Sequence, residues 1–374
     1  MNPIYLDYNA STPVAPQVLD EFLPYLKNKF GNPSSSHSFG VACRAGIEQA
    51  RERVAGLLGC EESEIIFTSG ATESNNMVIK GIAKAFGKGK HFITSRIEHP
   101  AVLEPCRHLE RFGYSVTYLP VDRFGMVDPA DLEKAITPDT ALVSIMHSNN
   151  EVGTIQDIKE LARIASSRGV LFHTDAAQSV GKVRVQAEDL GVDFLTVAGH
   201  KFYAPKGIGA LYIKNGRKLL PMMHGAGHER GLRPGTENAA FIVGLGAAAM
   251  LAAPIVDDEG ARQRKLGQRL YDGLRDSGLK VHLNGHPEKK LPNTWNISFA
   301  GFTAAEVMDA LGREVAVSPG AACHGDLVEP SHVLSAMGAE PSLARGAIRF
   351  SLGRETTERE IEAVIEQLRK GLKK

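Results

Sequence analysis

An alternation of short apolar runs with longer helical runs, between about residues 60 and 215, constrains the fold of this chain more than any other feature. The short runs are rich in β-branched and aromatic residues, and several of the longer runs end at a glycine. Strands that alternate with helices predict a mostly parallel sheet covered by helices on both faces. The predicted strands are residues 64–68, 91–94, 114–119, 141–146, 170–173, 194–197 and 210–213, and the predicted helices are residues 73–86, 101–112 and 158–167.

The pattern changes near residue 250, beyond which the sequence predicts a smaller α+β domain. Its last helix begins with a capping box formed by Thr357 and Glu360. The predicted helices here are residues 261–274, 304–311 and 357–372, and the predicted strands are residues 281–283, 296–299 and 347–351. We expect a large domain of residues 15–255 and a small domain that combines residues 1–14 with residues 256–374.

The composition disfavours several classes of protein. Lysine and arginine together number 43, as do aspartate and glutamate, so the net charge of zero favours no polyanionic partner such as nucleic acid. No apolar run approaches the roughly 20 residues of a membrane helix, and the first residues do not resemble a signal peptide. The four cysteines are scattered, which is typical of reduced thiols in the cytoplasm, and Cys43, Cys60 and Cys106 have the context of buried apolar residues. We therefore expect a cytoplasmic protein.

Two segments place polar groups where a predicted strand ends and a helix begins. Residues 68–75 form a turn of small residues, with the hydroxyls of Ser69 and Thr72, at a helix N-terminus that can bind an anion. Asp175 ends another apolar strand, at the edge where open α/β sheets bind ligands, and a buried carboxylate there needs a partner. A plain helix cap explains the first segment equally well, and it is the better explanation for Asp175 taken alone.

Two further residues are candidates for nucleophiles. Lys201 follows the apolar run 194–197, and burial there would lower the pKa of its amine and make the amine nucleophilic. Most lysines instead extend to the surface. Cys323 lies in a segment of Gly, Ala and Pro that indicates a loop, and the neighbouring His324 can favour the thiolate. An incidental loop cysteine is the alternative explanation.

A metal site is not expected. Residues 224–238 contain His224, His228 and Glu229, but the spacing and the interleaved glycines do not match the helical zinc pattern. The glycines and arginines of this segment suit a loop that contacts a phosphate or a neighbouring subunit.

Together and in this order, these segments resemble the cysteine desulfurase family, which includes the nitrogen-fixation and iron–sulfur-cluster assembly enzymes among the class V aminotransferase-like enzymes. The resemblance runs from residues 5–10 to residues 348–354. It is carried by residues 68–76, 98–103, 148–156, 173–182, 199–212 and 228–238. It implies an α/β fold of the pyridoxal-phosphate fold type I, whose large domain has a mostly parallel seven-stranded sheet. It also implies a homodimer with shared active sites.

The resemblance implies roles for individual residues toward pyridoxal 5'-phosphate. Lys201 would hold the cofactor covalently, Asp175 would pair with its pyridinium nitrogen, and Gln178 would bond its phenolic oxygen. His99 would stack on the ring and shuttle protons. The residues implied at the phosphate are Ala71, Thr72, Ala198, Gly199, His200 and, from the partner subunit, Thr236.

The implied reaction converts L-cysteine to L-alanine. Asn150 and Arg349 would hold the substrate carboxylate, Lys201 would remove the Cα proton, and Cys323, on a loop of about residues 316–330, would accept the sulfur as a persulfide. A protein would then accept the sulfur from Cys323.

One part of the sequence departs from this family. Residues 318–326, around Cys323, and residues 233–238 are similar to selenocysteine lyases, whereas residues 329–334 again resemble the desulfurases. Selenocysteine β-lyase is therefore the main alternative, with selenocysteine as substrate. A class V aminotransferase is a more distant alternative, and a catalytically silent sulfur-transfer scaffold is another.

Overall fold

The computed structural model describes residues 3–87, 90–319, 321–324 and 327–372, with the backbone alone for residues 321–324 and 327–330. Helices α1 to α13 are, in chain order, Pro16–Lys27, Ser38–Leu58, Ala71–Phe86, Pro100–Arg111, Pro129–Ala135, Ile158–Ser167, Ala187–Leu190, Ala239–Ala252, Val256–Asp276, Ala304–Leu311, His332–Ala336, Pro341–Ala344 and Glu358–Gly371. Strands β1 to β15 are Ile4–Tyr5, Ile65–Thr68, His91–Ser95, Ser115–Leu119, Thr140–Ser144, Leu171–Asp175, Phe194–Ala198, Gly209–Ile213, Val281–Asn284, Thr294–Phe299, Val315–Ala316, Ser318–Pro319, Ala321–His324, Leu327–Pro330 and Ala347–Ser351.

The central sheet has seven strands in the order β2-β8-β7-β6-β5-β3-β4, which confirms the predicted α/β fold. The strands from β7 to β4 are parallel, whereas β8 runs antiparallel to both of its neighbours. Successive residues of β5 belong to different core clusters: Leu142 to one with residues of α3 and α4, and Val143 to one with residues of α2, α6 and α8. Helices therefore cover both faces, and every residue of β5 and β7 is buried.

A second sheet lies in the C-terminal part of the chain, in the order β12-β15-β10-β9, with antiparallel pairing throughout. Side chains of α9, α10 and α13 pack in the same core cluster as Trp295, Ile297 and Phe350 from its strands. The N-terminal β1 pairs with β11 beside this sheet, and Asp7 bridges to Ser351. These contacts support the predicted two-domain division, which stays a prediction.

The segment around Cys323 differs from the predicted loop. Its backbone forms a two-stranded antiparallel hairpin of β13 and β14, in which Cys323 lies opposite Val328. A segment that leaves a sheet must satisfy its own backbone donors and acceptors, and pairing within a hairpin does so. The Cys323 side chain lies outside the described part of the chain.

Among the described residues no single helix is long and apolar enough to cross a membrane. Helices α8 and α9 reach that length and composition only as a pair bent by 74°.

A buried lysine, Lys290, destabilises the core of the second sheet, where it lies against Trp295. Lys290 is 1% exposed, and its Nζ lies 3.1 Å from the centroid of the Trp295 ring. Within the described residues this Nζ has no hydrogen-bond partner. Burial, and secondly the charge of Arg264, lower the pKa of Lys290 to about 7. The unfolded chain therefore binds a proton more tightly than the folded chain does.

We predict that Lys290→Met stabilises the protein by about 2 kcal/mol below about pH 7, because an apolar chain of similar length replaces an unpaired amine. The penalty that Lys290 imposes is complete below its folded pKa of about 7 and declines as pH rises toward the unfolded value of about 10.4. The gain should therefore disappear near about pH 10. Urea unfolding followed by the fluorescence of Trp295, the one tryptophan in the sequence, measures it. Lys289→Met, an exposed neighbour, serves as the control, and an equal gain there would contradict the prediction.

Candidate active site

A cavity of about 600 Å³ lies where several strands of the central sheet end. Asp175 ends β6, while Lys201 and His99 follow shortly after β7 and β3. The predicted site residues on its wall are Ala71, Thr72, His99, Asn150, Asp175, Gln178, Ala198, His200, Lys201 and Arg349. The edge of the sheet thus brings together residues that are far apart in the sequence.

Two predicted residues of the described part of the chain do not line the cavity, and the side chain of a third, Cys323, lies outside that part. Gly199 is buried and its N–H donates to the carbonyl of Ile208, so it supports the cavity wall. Thr236 is exposed in the segment before α8. The role predicted for Thr236 requires a partner subunit and stays a prediction.

One end of the cavity is the N-terminus of α3. The N-cap residue is Gly70, which offers no side chain to the first N–H groups of the helix. Gly209 packs against this turn, because a Cβ on Gly209 would lie 2.7 Å from the Cα of Gly70. The free N–H groups and the helix dipole make this end a binding site for an anion.

His200 lines the same cavity, with a neutral ring at neutral pH. Burial, followed by the charges of Lys201, Lys206 and Lys182, lowers the pKa of His200 to about 4. Its Nδ1 lies 3.3 Å from the Oγ of Ser11. A neutral imidazole of this kind can still donate one hydrogen bond to a phosphate oxygen.

Asp175 is the buried carboxylate of the cavity, which the less buried Glu73 also lines. Asp175 is 6% exposed, and its Oδ2 accepts from the Nδ2 of Asn75 at 2.6 Å, while its Oδ1 accepts from the N–H of Ala177 at 2.9 Å. Sequence reasoning missed Asn75. The spacing of Asn75 from Val78, Ile79 and Ile82 places it on the apolar face of α3. A polar side chain on a buried face is the signal that could have found it. These bonds hold the carboxylate in place, where it can bind a protonated ring nitrogen.

Lys201 is the candidate nucleophile. Its Nζ donates to the carbonyl of Asn9 at 2.6 Å and to that of Ala10 at 3.0 Å. Burial lowers the pKa of Lys201 to about 8, and the charge of Arg349 acts in the same direction, whereas Asp175 raises it. An amine with this pKa is substantially neutral at mildly alkaline pH, so it can attack an aldehyde.

His99 forms the N-cap of α4 and lines the cavity. Its Nδ1 accepts from the N–H of Ala101 at 3.1 Å, so in the neutral ring the proton is on Nε2. Burial is the largest cause of the lowered pKa of His99, and the charge of Lys201 adds to it, while Asp175 acts in the opposite direction. The ring can therefore donate from Nε2 while Nδ1 caps the helix.

Arg349 is the cation of the cavity that suits a substrate carboxylate. Its Nη2 donates to the Oδ1 of Asp7 at 2.7 Å, and its Nη1 donates to the carbonyl of Asn150 at 3.0 Å. Its Nε is buried without a partner among the described residues. Sequence reasoning missed Asp7, which orients the guanidinium.

Glu98 lies behind His99 and is 0% exposed. Its Oε1 accepts from the Oγ of Ser95 at 2.6 Å and from the N–H of Met146 at 2.9 Å, whereas its Oε2 has no partner within the described residues. Burial raises the pKa of Glu98 to about 8, against the effect of those two hydrogen bonds, and the charge of Asp175 raises it further. Glu98 is therefore mostly protonated at neutral pH.

We predict that Glu98→Gln stabilises the protein by roughly 2 kcal/mol at about pH 8 and has little effect at about pH 4.5. The folded chain retains the Glu98 proton up to about pH 8, whereas the unfolded chain releases it near pH 4.5, so the wild type loses stability across this window. Urea unfolding at both ends of the window measures the difference. Glu104→Gln, at an exposed position on α4, should leave the pH dependence of the free energy of unfolding unchanged. If Glu98→Gln lost as much stability between the two pH values as the wild type, the raised pKa of Glu98 would be contradicted.

The cavity fits pyridoxal 5'-phosphate, the cofactor that the sequence resemblance implies. The α3 N-terminus can hold its phosphate, Asp175 its protonated nitrogen, and Lys201 its aldehyde carbon. These groups share one cavity of sufficient size.

Comparison with known proteins agrees with this geometry. Residues 4–364 match the family Aminotransferase class-V. The chain is 50% identical to "Cysteine desulfurase IscS" of Dictyoglomus turgidum, over 98% of this chain and 95% of that protein. A solved NifS-like protein superposes with a TM-score of 0.93 at 40% identity, covering 98% of each chain. A structure described as SspA in complex with cysteine superposes with a TM-score of 0.83 at 40% identity, covering 93% of this chain and 98% of that one. The chain therefore belongs to the class-V aminotransferase family and, within it, to the cysteine desulfurases, which use pyridoxal 5'-phosphate.

Proposed function

We propose that this chain is a cysteine desulfurase that converts L-cysteine to L-alanine and transfers the sulfur to Cys323. The observation that carries the proposal is the single cavity that contains the amine of Lys201, the carboxylate of Asp175 and the guanidinium of Arg349. When bound, pyridoxal phosphate supplies an electron-accepting ring that stabilises negative charge at the substrate Cα. The similarity to a protein solved in complex with cysteine supports cysteine as the substrate.

In this proposal each residue of the cavity has its own role. Arg349 binds the substrate carboxylate next to Asn150, and Asp175 keeps the ring nitrogen protonated. Lys201, whose lowered pKa leaves much of its amine neutral, removes the Cα proton. His99 holds a proton on Nε2 at the cavity wall.

Sulfur transfer needs the thiolate of Cys323. In the proposed step this thiolate attacks the sulfur of the substrate and a sulfur–sulfur bond forms. The carbon–sulfur bond breaks, and its electron pair stays with the substrate Cβ, which takes up a proton. Lys201 returns a proton to Cα, which completes alanine. Cys323 is left as a persulfide, from which a protein acceptor takes the sulfur.

The proposal includes a homodimer in the cytoplasm. Thr236 is exposed and precedes α8, a position from which it can serve the phosphate end of a partner's cavity. The similarity to an IscS protein supports a protein acceptor for the sulfur.

The experiment that tests the function measures alanine release from cysteine and from selenocysteine side by side. Turnover of cysteine, with the mass of one additional sulfur atom on the peptide that contains Cys323, is the expected result. Turnover of selenocysteine alone would replace the proposal by the selenocysteine β-lyase alternative. Transfer of the amino group to a keto acid would indicate an aminotransferase.

A further inference from the structure

Lys182 is a charged residue that the proposed reaction does not use. It follows Gln178 by four residues in the turn after β6. Gly181 lets this turn approach the core, because its φ is +77° and a Cβ there would lie 2.6 Å from the Cβ of Phe202. The turn brings the half-buried Lys182 back beside Gln178.

The Nζ of Lys182 makes two hydrogen bonds to side-chain amides. It donates to the Oε1 of Gln178 at 2.8 Å and to the Oδ1 of Asn9 at 2.9 Å. None of the ion pairs between described residues includes Lys182. Burial, followed by the charges of Lys201 and Arg349, holds the pKa of Lys182 well below its ordinary value. The amine therefore occupies this place without a carboxylate to stabilise its charge.

A lysine amine has at least two N–H donors in either protonation state, and both hydrogen bonds of Lys182 go to amide oxygens, which fixes the orientation of those amides. With Lys182 beside it, the amide of Gln178 must turn its oxygen toward Nζ and its NH₂ group away. That NH₂ group donates to the main-chain carbonyl of Asn9 at 3.0 Å. Its second hydrogen is left for an acceptor in the cavity, which Gln178 lines.

The same amine orients Asn9. The Oδ1 of Asn9 accepts from Lys182 and from the Nδ2 of Asn293 at 3.0 Å, while its Nδ2 donates to the Oγ1 of Thr294 at 2.8 Å. Asn9 is 1% exposed, and its main-chain carbonyl accepts from both Gln178 and Lys201. Lys182 thus holds the side chain of Gln178, which lines the cavity, and that of Asn9, whose carbonyl accepts from the Lys201 amine.

We infer that Lys182 is a positioning residue that holds the Gln178 amide with its NH₂ group toward the phenolic oxygen of the cofactor. This inference rests on the proposed function, since Gln178 matters in this way only if pyridoxal phosphate binds here. Lys182 acts through Gln178 and has no direct contact with the cofactor in this arrangement.

The test is a double-mutant cycle on the full chain, with the cofactor dissociation constant and the visible absorbance of the bound cofactor as readouts. Lys182→Met should raise the dissociation constant about tenfold and shift the pH midpoint of the absorbance. In a Gln178→Ala background, the same substitution should change the constant by less than about threefold, because the amide that Lys182 orients is gone. Lys290→Met, which removes another buried lysine, is the control and should change the constant by less than about twofold.

Three outcomes would overturn the inference. Lys182→Met could hold the cofactor as tightly as the wild type, or its tenfold loss could persist in the Gln178→Ala background. Thirdly, the Lys182→Met chain could lack the circular dichroism of a folded protein, which would make Lys182 a support of the fold. The cofactor could bind and the double-mutant cycle could give the expected values while the wild type releases no alanine. That result would leave the inference intact and refute the proposed function.

Discussion

Replacing Lys201 with alanine is expected to abolish covalent attachment of the cofactor and to lower alanine formation by on the order of 10³-fold or more. Lys201 follows the end of β7 by three residues, and its Nζ is held by the carbonyls of Asn9 and Ala10. Its pKa of about 8 makes it suitable both as a nucleophile and as a proton acceptor. Alanine removes both functions together, because its side chain has no amine for the site to position.

Borohydride reduction distinguishes Lys201 from the other lysine on the same wall. In the wild type, reduction should fix the cofactor permanently to the peptide that contains Lys201. Lys206 also lines the cavity, so Lys206→Ala is the matched control and should retain that label. A Lys201→Ala protein that still carries the label after reduction would place the anchor elsewhere and would refute the site.

Replacing Cys323 with alanine should reduce alanine release from cysteine by on the order of 10³-fold, because no thiolate is left to accept the sulfur. Cofactor binding and its visible absorbance should be unchanged, since the phosphate, ring and aldehyde contacts come from the cavity wall. The additional sulfur on the enzyme should be absent from its mass spectrum. Selenocysteine should still be turned over, because a selenol ionises more readily than a thiol and can leave without attack by Cys323.

Cys60→Ala provides the control for this experiment. Cys60 is a half-buried thiol whose pKa is raised to about 12, mainly by burial, so it is a poor nucleophile. Its replacement should leave turnover and persulfide formation at the wild-type level. Full cysteine turnover by Cys323→Ala would remove Cys323 from the mechanism.

The sequence predicted the elements best where periodicity and end signals coincide. Helices Ile158–Ser167 and Ala304–Leu311 and strand Ala347–Ser351 have the predicted bounds. The side chain of Asp157 caps the first helix, and Thr303 begins a capping box at the second. Each signal is local, so it can be read from a few neighbouring residues.

Helix α8 shows why other elements were missed. Its sequence is apolar on every side, and it packs between α1 and α2, so no polar face gives it a helical period. The sequence predicted the next helix at residues 261–274, whereas α9 already begins at Val256. The acidic residues Asp257, Asp258 and Glu259 in its first turn stabilise that earlier start.

The family resemblance named most of the residues on the cavity wall, and Asp175 and Lys201 also followed from their places after apolar strands in the sequence. The contacts that hold these residues did not. The carbonyl of Asn9 accepts from Lys201, 192 residues away, and Arg349 pairs with Asp7 across 342 residues. No local pattern encodes such a distance. A main-chain acceptor in particular has no signal in residue identity.

The path of the first dozen residues has a consequence for biosynthesis. They leave the ribosome long before Ser351 does, yet Leu6 and Asn9 bond to that residue. The main-chain carbonyl of Asn9, which holds the Lys201 amine, therefore gains its contact with Ser351 only after residue 351 has been translated. A nascent chain that ends before Ser351 lacks this contact, so the acceptor of the reactive amine is less firmly held in it.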